Sequence, residues 1–188
     1  MTVDEIFSEL SAHMIKGMMT HEQLANYYDF LNLRGYKRCH EYRYLKESVE
    51  YRKLCRYYIN HYNKLIPYRD VGNPDIIPDS WYRYSRQDVD ASIKRTGVKN
   101  GIEAWVKWER ETKDLYQERY ADLMKLGEVA AAEKLAKYIH EVDCELKQAE
   151  RKMQTLSTIG YDVLQIEYEQ DCLHDRYRHK MEDWVIKL

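Results

Sequence analysis

Apolar residues recur every three or four positions along most of the chain, which is the period of an amphipathic helix. From the start, Val3, Phe7, Leu10, Met14, Met18, Leu24 and Tyr28 share one face, and the pattern closes near Leu31. The break Asn32-Leu33-Arg34-Gly35 leads into a second helix, about 36–66, on the stripe Tyr44, Tyr51, Cys55, Tyr58, Tyr62 and Leu65. Pro67, Pro74 and Pro78 all fall in the stretch that follows, so every other segment is free of the strongest helix breaker. That stretch, 67–97, reads as a crossover carrying Gly72 and Trp81-Tyr82-x-Tyr84. Ser85 with Asp88 has the pattern of an N-cap followed by an acidic first turn, and predicts a short helix at about 86–95. Beyond Gly101 a helix carries Ile102, Trp105, Thr112, Tyr116 and Leu123 on one face, and Gly127 marks the next turn. The helix from 128 to 158 carries Leu135, Ile139, Val142, Leu146 and Met153, and Gly160 ends it. A fifth helix, 161–186, carries Leu164, Tyr168, Cys172, Met181 and Trp184. No βαβ pattern, hairpin turn signal or short-period repeat interrupts this sequence. The expected fold is all-α in one domain, 1–188: hairpins 3–66 and 98–158, a crossover between them, and a C-terminal helix.

Composition changes what the interior should contain. The chain has 18 tyrosines against two phenylalanines, and 12 of the 18 precede residue 85. A buried tyrosine brings a hydroxyl that needs a partner, so the interior is apolar in bulk but wired with polar groups. Charges nearly cancel, leaving a formal net charge of −2, which gives no strong nucleic-acid signal. The basic and aromatic run from Tyr36 to Tyr44 is interleaved with glutamates through Glu50, and reads as a mixed helix face. MTVDEIFSEL lacks the pattern of a signal peptide, and no apolar run approaches the roughly 18 residues of a membrane span. Cys39, Cys55, Cys144 and Cys172 are scattered without a CxxC pair, as expected of reduced thiols in a cytoplasmic protein. Phosphate-loop and nucleophile-elbow motifs are absent.

The connections say more than the helices. A crossover of about 30 residues, at up to roughly 3.3 Å each, can traverse a whole bundle and start the third helix at the far end. Two tight hairpins joined this way, with an added fifth helix, resemble the ferritin-like superfamily. The resemblance implies a four-helix bundle in which di-iron members take one Glu from each of two helices and a Glu-x-x-His from each of the others. This sequence has no Glu-x-x-His. It does have polar residues within the helical stripes: His21, Glu47 (with Glu50, a Glu-x-x-Glu), Glu109, and Asp143 with His140 three residues before it. At 1.5 Å per residue, His21 and Glu47 lie roughly 19 Å from the first hairpin turn, and Glu109 and Asp143 roughly 25 Å from the second. In helices about 45 Å long with turns at opposite ends, those depths meet near mid-bundle. A turn shifted by two residues would bring in Glu22, His40, Glu41 or Glu145 instead.

Two readings follow. A carboxylate and imidazole set suits iron or manganese better than zinc, giving an oxidase or iron-handling protein with Tyr44 or Tyr51 as redox-active neighbours. Equally, such groups can satisfy one another in a metal-free core and leave function to the surface. The segment 54–63 is dense in Tyr, Asn and His, and adjacent residues there cannot share one face. Tyr57 and His61, with Trp81, Tyr82 and Tyr84, then form an expected protein interface, for a partner or for self-association. On this segment the chain resembles small ferritin-like proteins of phages and mobile elements, which implies an accessory or host-defence inhibitor. Asp171-x-x-His174 also has ligand spacing but falls off the expected stripe and reads as surface.

Overall fold

The computed structural model describes residues 1–74 and 76–185, without the side chains of 79, 80 and 182–185. Five helices carry the fold: α1 (Val3–Phe30), α2 (Arg34–Tyr62), α3 (Ala91–Lys125), α4 (Val129–Thr158) and α5 (Val163–Val185). Strands are absent among the described residues.

Local chemistry sets the ends. Thr2 accepts the Glu5 N–H and Glu5 accepts the Thr2 N–H, a capping box that starts α1. Asn32 takes the left-handed conformation (φ 57°) that separates α1 from α2. Gly35 is instead inside α2, where a Cβ would overlap the Gln170 carbonyl; it lets α5 approach. α2 stops at Tyr62 because Asn63 turns left-handed and closes on the Ile59 carbonyl. The short helix expected at 86–95 does not form. Ser85 and Asp88 do make a capping box, but it holds only a 3₁₀ turn, Arg86–Asp88. Asp90 caps the Ile93 N–H, and α3 runs unbroken through Gly97 and Gly101.

The crossover spans the bundle. At one end the Ser8 hydroxyl donates to the Pro67 carbonyl; at the other Trp81 packs edge-on against Tyr27. α3 therefore runs antiparallel to α1, with His13 on Thr112 and Tyr28 against Gly101. α2 and α4 are likewise antiparallel, joined by Lys46–Glu145 and by Tyr62 donating to Glu128. α5 lies on α2, where Tyr36 donates to Glu169 at 2.5 Å and Tyr42 meets Tyr177. This is a ferritin-like four-helix bundle with a fifth helix alongside.

Two apolar clusters fill the interior. One gathers Leu24, Tyr28, Ile102, Trp105 and Ala149; the other gathers Phe7, Met14, Leu54, Tyr116 and Leu135. Between them lies a buried polar layer: His21, His40, Arg43, Glu47, Glu50, Glu109 and Thr112.

Two stripes differ from expectation. The inward row of α2 is Tyr36, His40, Arg43, Glu47, Glu50, Leu54 and Tyr58, while Tyr44 and Leu65 are 36% and 78% exposed. On α5, Ile166, Leu173 and Tyr177 face in, leaving Leu164 and Tyr168 81% and 66% exposed. In α2 the inward face holds the charges at mid-helix; of the expected stripe Tyr58 is buried, Tyr51, Cys55 and Tyr62 are half-buried, and Tyr44 and Leu65 face out. The Trp184 side chain lies outside the described residues.

Candidate functional site

The layer is built around a buried guanidinium. Arg43 is 3% exposed; its NH1 stands 3.2 Å from Glu145 Oε2 and 3.7 Å from Glu109 Oε1. NH2 donates to Gln148 Oε1 at 3.0 Å, and the group lies 4.2 Å over the Trp105 ring. Trp105 Nε1 donates to Glu109 Oε1 at 2.8 Å. One turn on, Lys46 Nζ reaches Glu145 at 2.7 Å, Glu141 at 3.1 Å and Glu50 at 3.7 Å. From α1, His21 Nδ1 meets His40 Nδ1 at 3.1 Å, while His21 Nε2 is 3.9 Å from Glu109. Gly17 makes room for Glu47: a Cβ there would stand 3.3 Å from its carboxyl carbon and 3.2 Å from Trp108 Cζ2.

Five carboxyls (Glu47, Glu50, Glu109, Glu141, Glu145) thus surround two cations, and protons make up part of the difference. Burial, then the charges of Glu145 and Glu109, drives Glu47 well above the carboxylate range. Burial and the hydrogen bond with Glu141 push Glu50 up to about 10; burial and Glu145 push Glu109 up to about 8. Burial opposes the charge on Arg43, but Glu145 and Glu109 more than offset it. His21 and His40 are held well below the ordinary imidazole value, chiefly by burial, and stay neutral.

Of the residues expected at mid-bundle, the structure brings His21, Glu47 and Glu109 into this layer. Asp143 and His140 are not there. Asp143 is held by Lys113 at 2.6 Å and Lys147 at 2.5 Å, which lower its pKa to about 2, and His140 is exposed. The buried row of α4 runs Leu135, Tyr138, Val142, Leu146 and Ala149, and Glu145 lies on that side, only 14% exposed, with Asp143 turned away. His40, Arg43, Lys46 and Glu145 complete the cluster. For His40 and Arg43 the signal was the three-four spacing His40, Arg43, Glu47, Glu50, Leu54, legible only if charged residues are admitted to a core stripe; His40 and Glu145 are also the residues that a turn shifted by two brings in.

A ferritin-like interior invites a metal at this level, and these residues do not fit one. Arg43 and Lys46 lie among the carboxylates that would ligate it, and a dication there would face both cations. Glu47 Oε2 and His21 Nε2 are buried without partners. Among the described residues no group of three or more His, Cys, Asp or Glu is disposed to hold an ion.

The expected interface residues do not form one patch. Tyr57 is half-buried, stacked on exposed His61 and near Phe7. Trp81 is only 9% exposed and belongs to the core against Tyr27, so it is not surface. Tyr82 and Tyr84 are 71% and 44% exposed. Phe7 and Tyr27 are separated by roughly 30 Å of α1, which puts the two groups at opposite ends of the bundle. Asp171 is exposed and His174 half-buried beside Asp175. Among the described residues no helix is long and apolar enough to cross a membrane.

No protein-family model matches this chain, and no curated protein matches it in sequence. Solved structures do resemble it. A humanized archaeal ferritin is 17% identical with a TM-score of 0.75, over 91% of this chain and 94% of its own. An Archaeoglobus fulgidus ferritin engineered into a closed form gives 16% and 0.76, over 93% and 96%. The open-pore ferritin from the same hyperthermophilic archaeon gives 16% and 0.75, over 91% and 94%. At such identities the likeness shows the fold alone, and that fold is the ferritin-like four-helix bundle.

Proposed function

We propose that this chain is a non-catalytic protein-interaction module on a ferritin-like bundle, with side-chain cations in place of metal charge at mid-bundle. Arg43 carries the reading: its guanidinium is buried on Trp105 between Glu109 and Glu145, where it puts positive charge in the space between them. Exposed aromatics support a working outer surface. Tyr68, Tyr82 and Tyr84 along the crossover are 87%, 71% and 44% exposed, and tyrosine-rich surfaces suit protein partners. The partner is a protein, either another chain or a second copy; a phage or mobile-element accessory that blocks a host defence complex is the narrower form of this reading.

The test is metal content and iron oxidation. Protein from cells supplemented with iron and manganese is expected to hold substoichiometric metal and to oxidise Fe(II) in air no faster than buffer does. Stoichiometric metal that is lost in Glu109→Gln would overturn the reading. It would favour iron handling, for which the unpartnered Glu47 Oε2 and His21 Nε2 are the donors at hand. For the surface, Tyr68→Ser with Tyr82→Ser should leave the melting curve unchanged while weakening association; unchanged association counts against that surface.

A further inference from the structure

We propose that the cleft between α4 and α5 binds a small flat anion of the aromatic carboxylate class. α5 is seated on α2, through Gly35 and the Tyr36–Glu169 and Tyr42–Tyr177 contacts. Beside this seat it leaves a cavity of about 270 Å³ against α4. The inner wall is Tyr36, Cys39, His40, Trp105, Leu173 and Tyr177, each less than 10% exposed. Four of those six present aromatic or imidazole rings, so the depth of the cleft suits a planar apolar body.

The mouth sets the sign of the ligand. Arg151, Lys152 and Arg176 stand there with Gln148 and Thr155, and none of the lining residues is Asp or Glu. Lys152 is paired with Glu169. Arg151 and Arg176, exposed on α4 and α5, have no carboxylate partner among the described residues. Two uncompensated guanidiniums over an aromatic slot offer forked donors to a carboxylate whose ring lies inside. The concavities near the α1–α2 turn differ in kind, because Asp29 and Glu41, or Glu167 and Asp171, line them together with the bases. The cleft also touches the buried layer, since His40 in its wall hydrogen-bonds His21. The site does not depend on whether the interior holds metal.

The probe is 2-naphthoate, titrated against the full chain by calorimetry and by tryptophan fluorescence, Trp105 being in the wall. The neutral 2-naphthalenemethanol serves as the uncharged control. Saturable binding of the acid is expected, with the alcohol weaker by about tenfold, the difference one charge-assisted contact supplies. Arg151→Ala with Arg176→Ala should weaken the acid by a similar factor and leave the alcohol unchanged. Thr155→Trp should plug the mouth and abolish both. All three positions are exposed, so the melting curve should not move. The proposal is overturned by absence of saturable binding, by equal affinity for acid and alcohol, or by an unchanged affinity in the double variant.

Discussion

Replacing Arg43 by Met tests whether the buried guanidinium holds the layer together. The aliphatic stem is kept while the charge near Glu145 (3.2 Å) and Glu109 (3.7 Å) is removed. At an effective dielectric of about 20, each contact is worth roughly 4–5 kcal/mol before desolvation. That gross figure is not the expected loss, because an orphaned carboxyl protonates when its ionised form becomes too costly. Taking an unfolded value of about 4.3, neutralising one carboxyl at pH 7 costs at most about 3.7 kcal/mol, and at pH 5 about 1 kcal/mol. Glu109, pushed up by burial, gives way by taking a proton, and Glu145 keeps Lys46 at 2.7 Å, so loss of Arg43 leaves neither carboxyl wholly uncompensated. The expected destabilisation therefore falls below that ceiling, about 2–3 kcal/mol at pH 7, and shrinks to about 1 at pH 5. Urea unfolding followed by circular dichroism reads it as a midpoint drop of roughly 1–1.5 M at pH 7, for a slope of about 2 kcal/mol/M. Adding Glu145→Gln should recover most of the loss. A penalty equal at both pH values, or a double variant no better than the single one, would refute the reasoning.

The same electrostatics give wild-type stability a defined pH window. Carboxyls raised by burial favour the folded state most below their unfolded value of about 4.3, and that advantage is lost as pH rises toward their folded values, near 8 for Glu109 and 10 for Glu50. His21 and His40, lowered by burial, withdraw stability as pH falls below about 6.5. Glu47→Gln, neutral at every pH, should match wild type near pH 4, exceed it at pH 8 and flatten the alkaline limb by up to about 1.4 kcal/mol per pH unit. Parallel melting-temperature profiles for the two proteins would show Glu47 to be ionised and the assignment wrong. Gly35→Ala drives a Cβ into the Gln170 carbonyl, which is backbone and cannot swing aside. It should cost about 1–3 kcal/mol by lifting α5 from α2, read as faster tryptic cleavage at Arg176. Unchanged cleavage would mean that α5 is held elsewhere.

Depth along the bundle and angle around a helix were not equally legible in the sequence. Counting from a hairpin turn places a residue's height to about 3 Å for an error of two residues, so the level of His21, Glu47 and Glu109 could be reached by counting. The same two residues are roughly 200° of rotation, and this separates Asp143, among lysines, from Glu145, beside Arg43. The angle has to come from the apolar stripe. In α4 the half-buried Ile139 sat beside the buried Tyr138–Val142 row and pointed to Asp143. In α2 the stripe is interrupted where the layer passes, so Tyr44 stood in for Arg43. Helix number and the crossover were readable because a single proline cluster and the 3.6 period set them. Helix ends moved wherever a cap outside the pattern, such as Asn63 or Asp90, decided the boundary.

The layer that hid the angle of α2 from sequence also favours one register in the fold. The clusters above and below it are apolar rows with heptad-like spacing, and such rows accept a partner displaced by one heptad with modest loss. A slip of seven residues, about 10 Å, would carry Arg43 to the level now held by Tyr36 or by Glu50. There it would lie away from Glu109 and Glu145, a buried cation without its partners, and the penalty for that exceeds what repacked leucines recover. The charges that α2, α3 and α4 share therefore do two jobs with one geometry. They disfavour slipped bundles, and Arg43 and Lys46 place positive charge among the carboxylates of the layer. A residue set that serves register in this way needs fixed charges of both signs. A ligand set of carboxylates and neutral imidazoles has no place for cations among its donors, and Arg43 and Lys46 stand there.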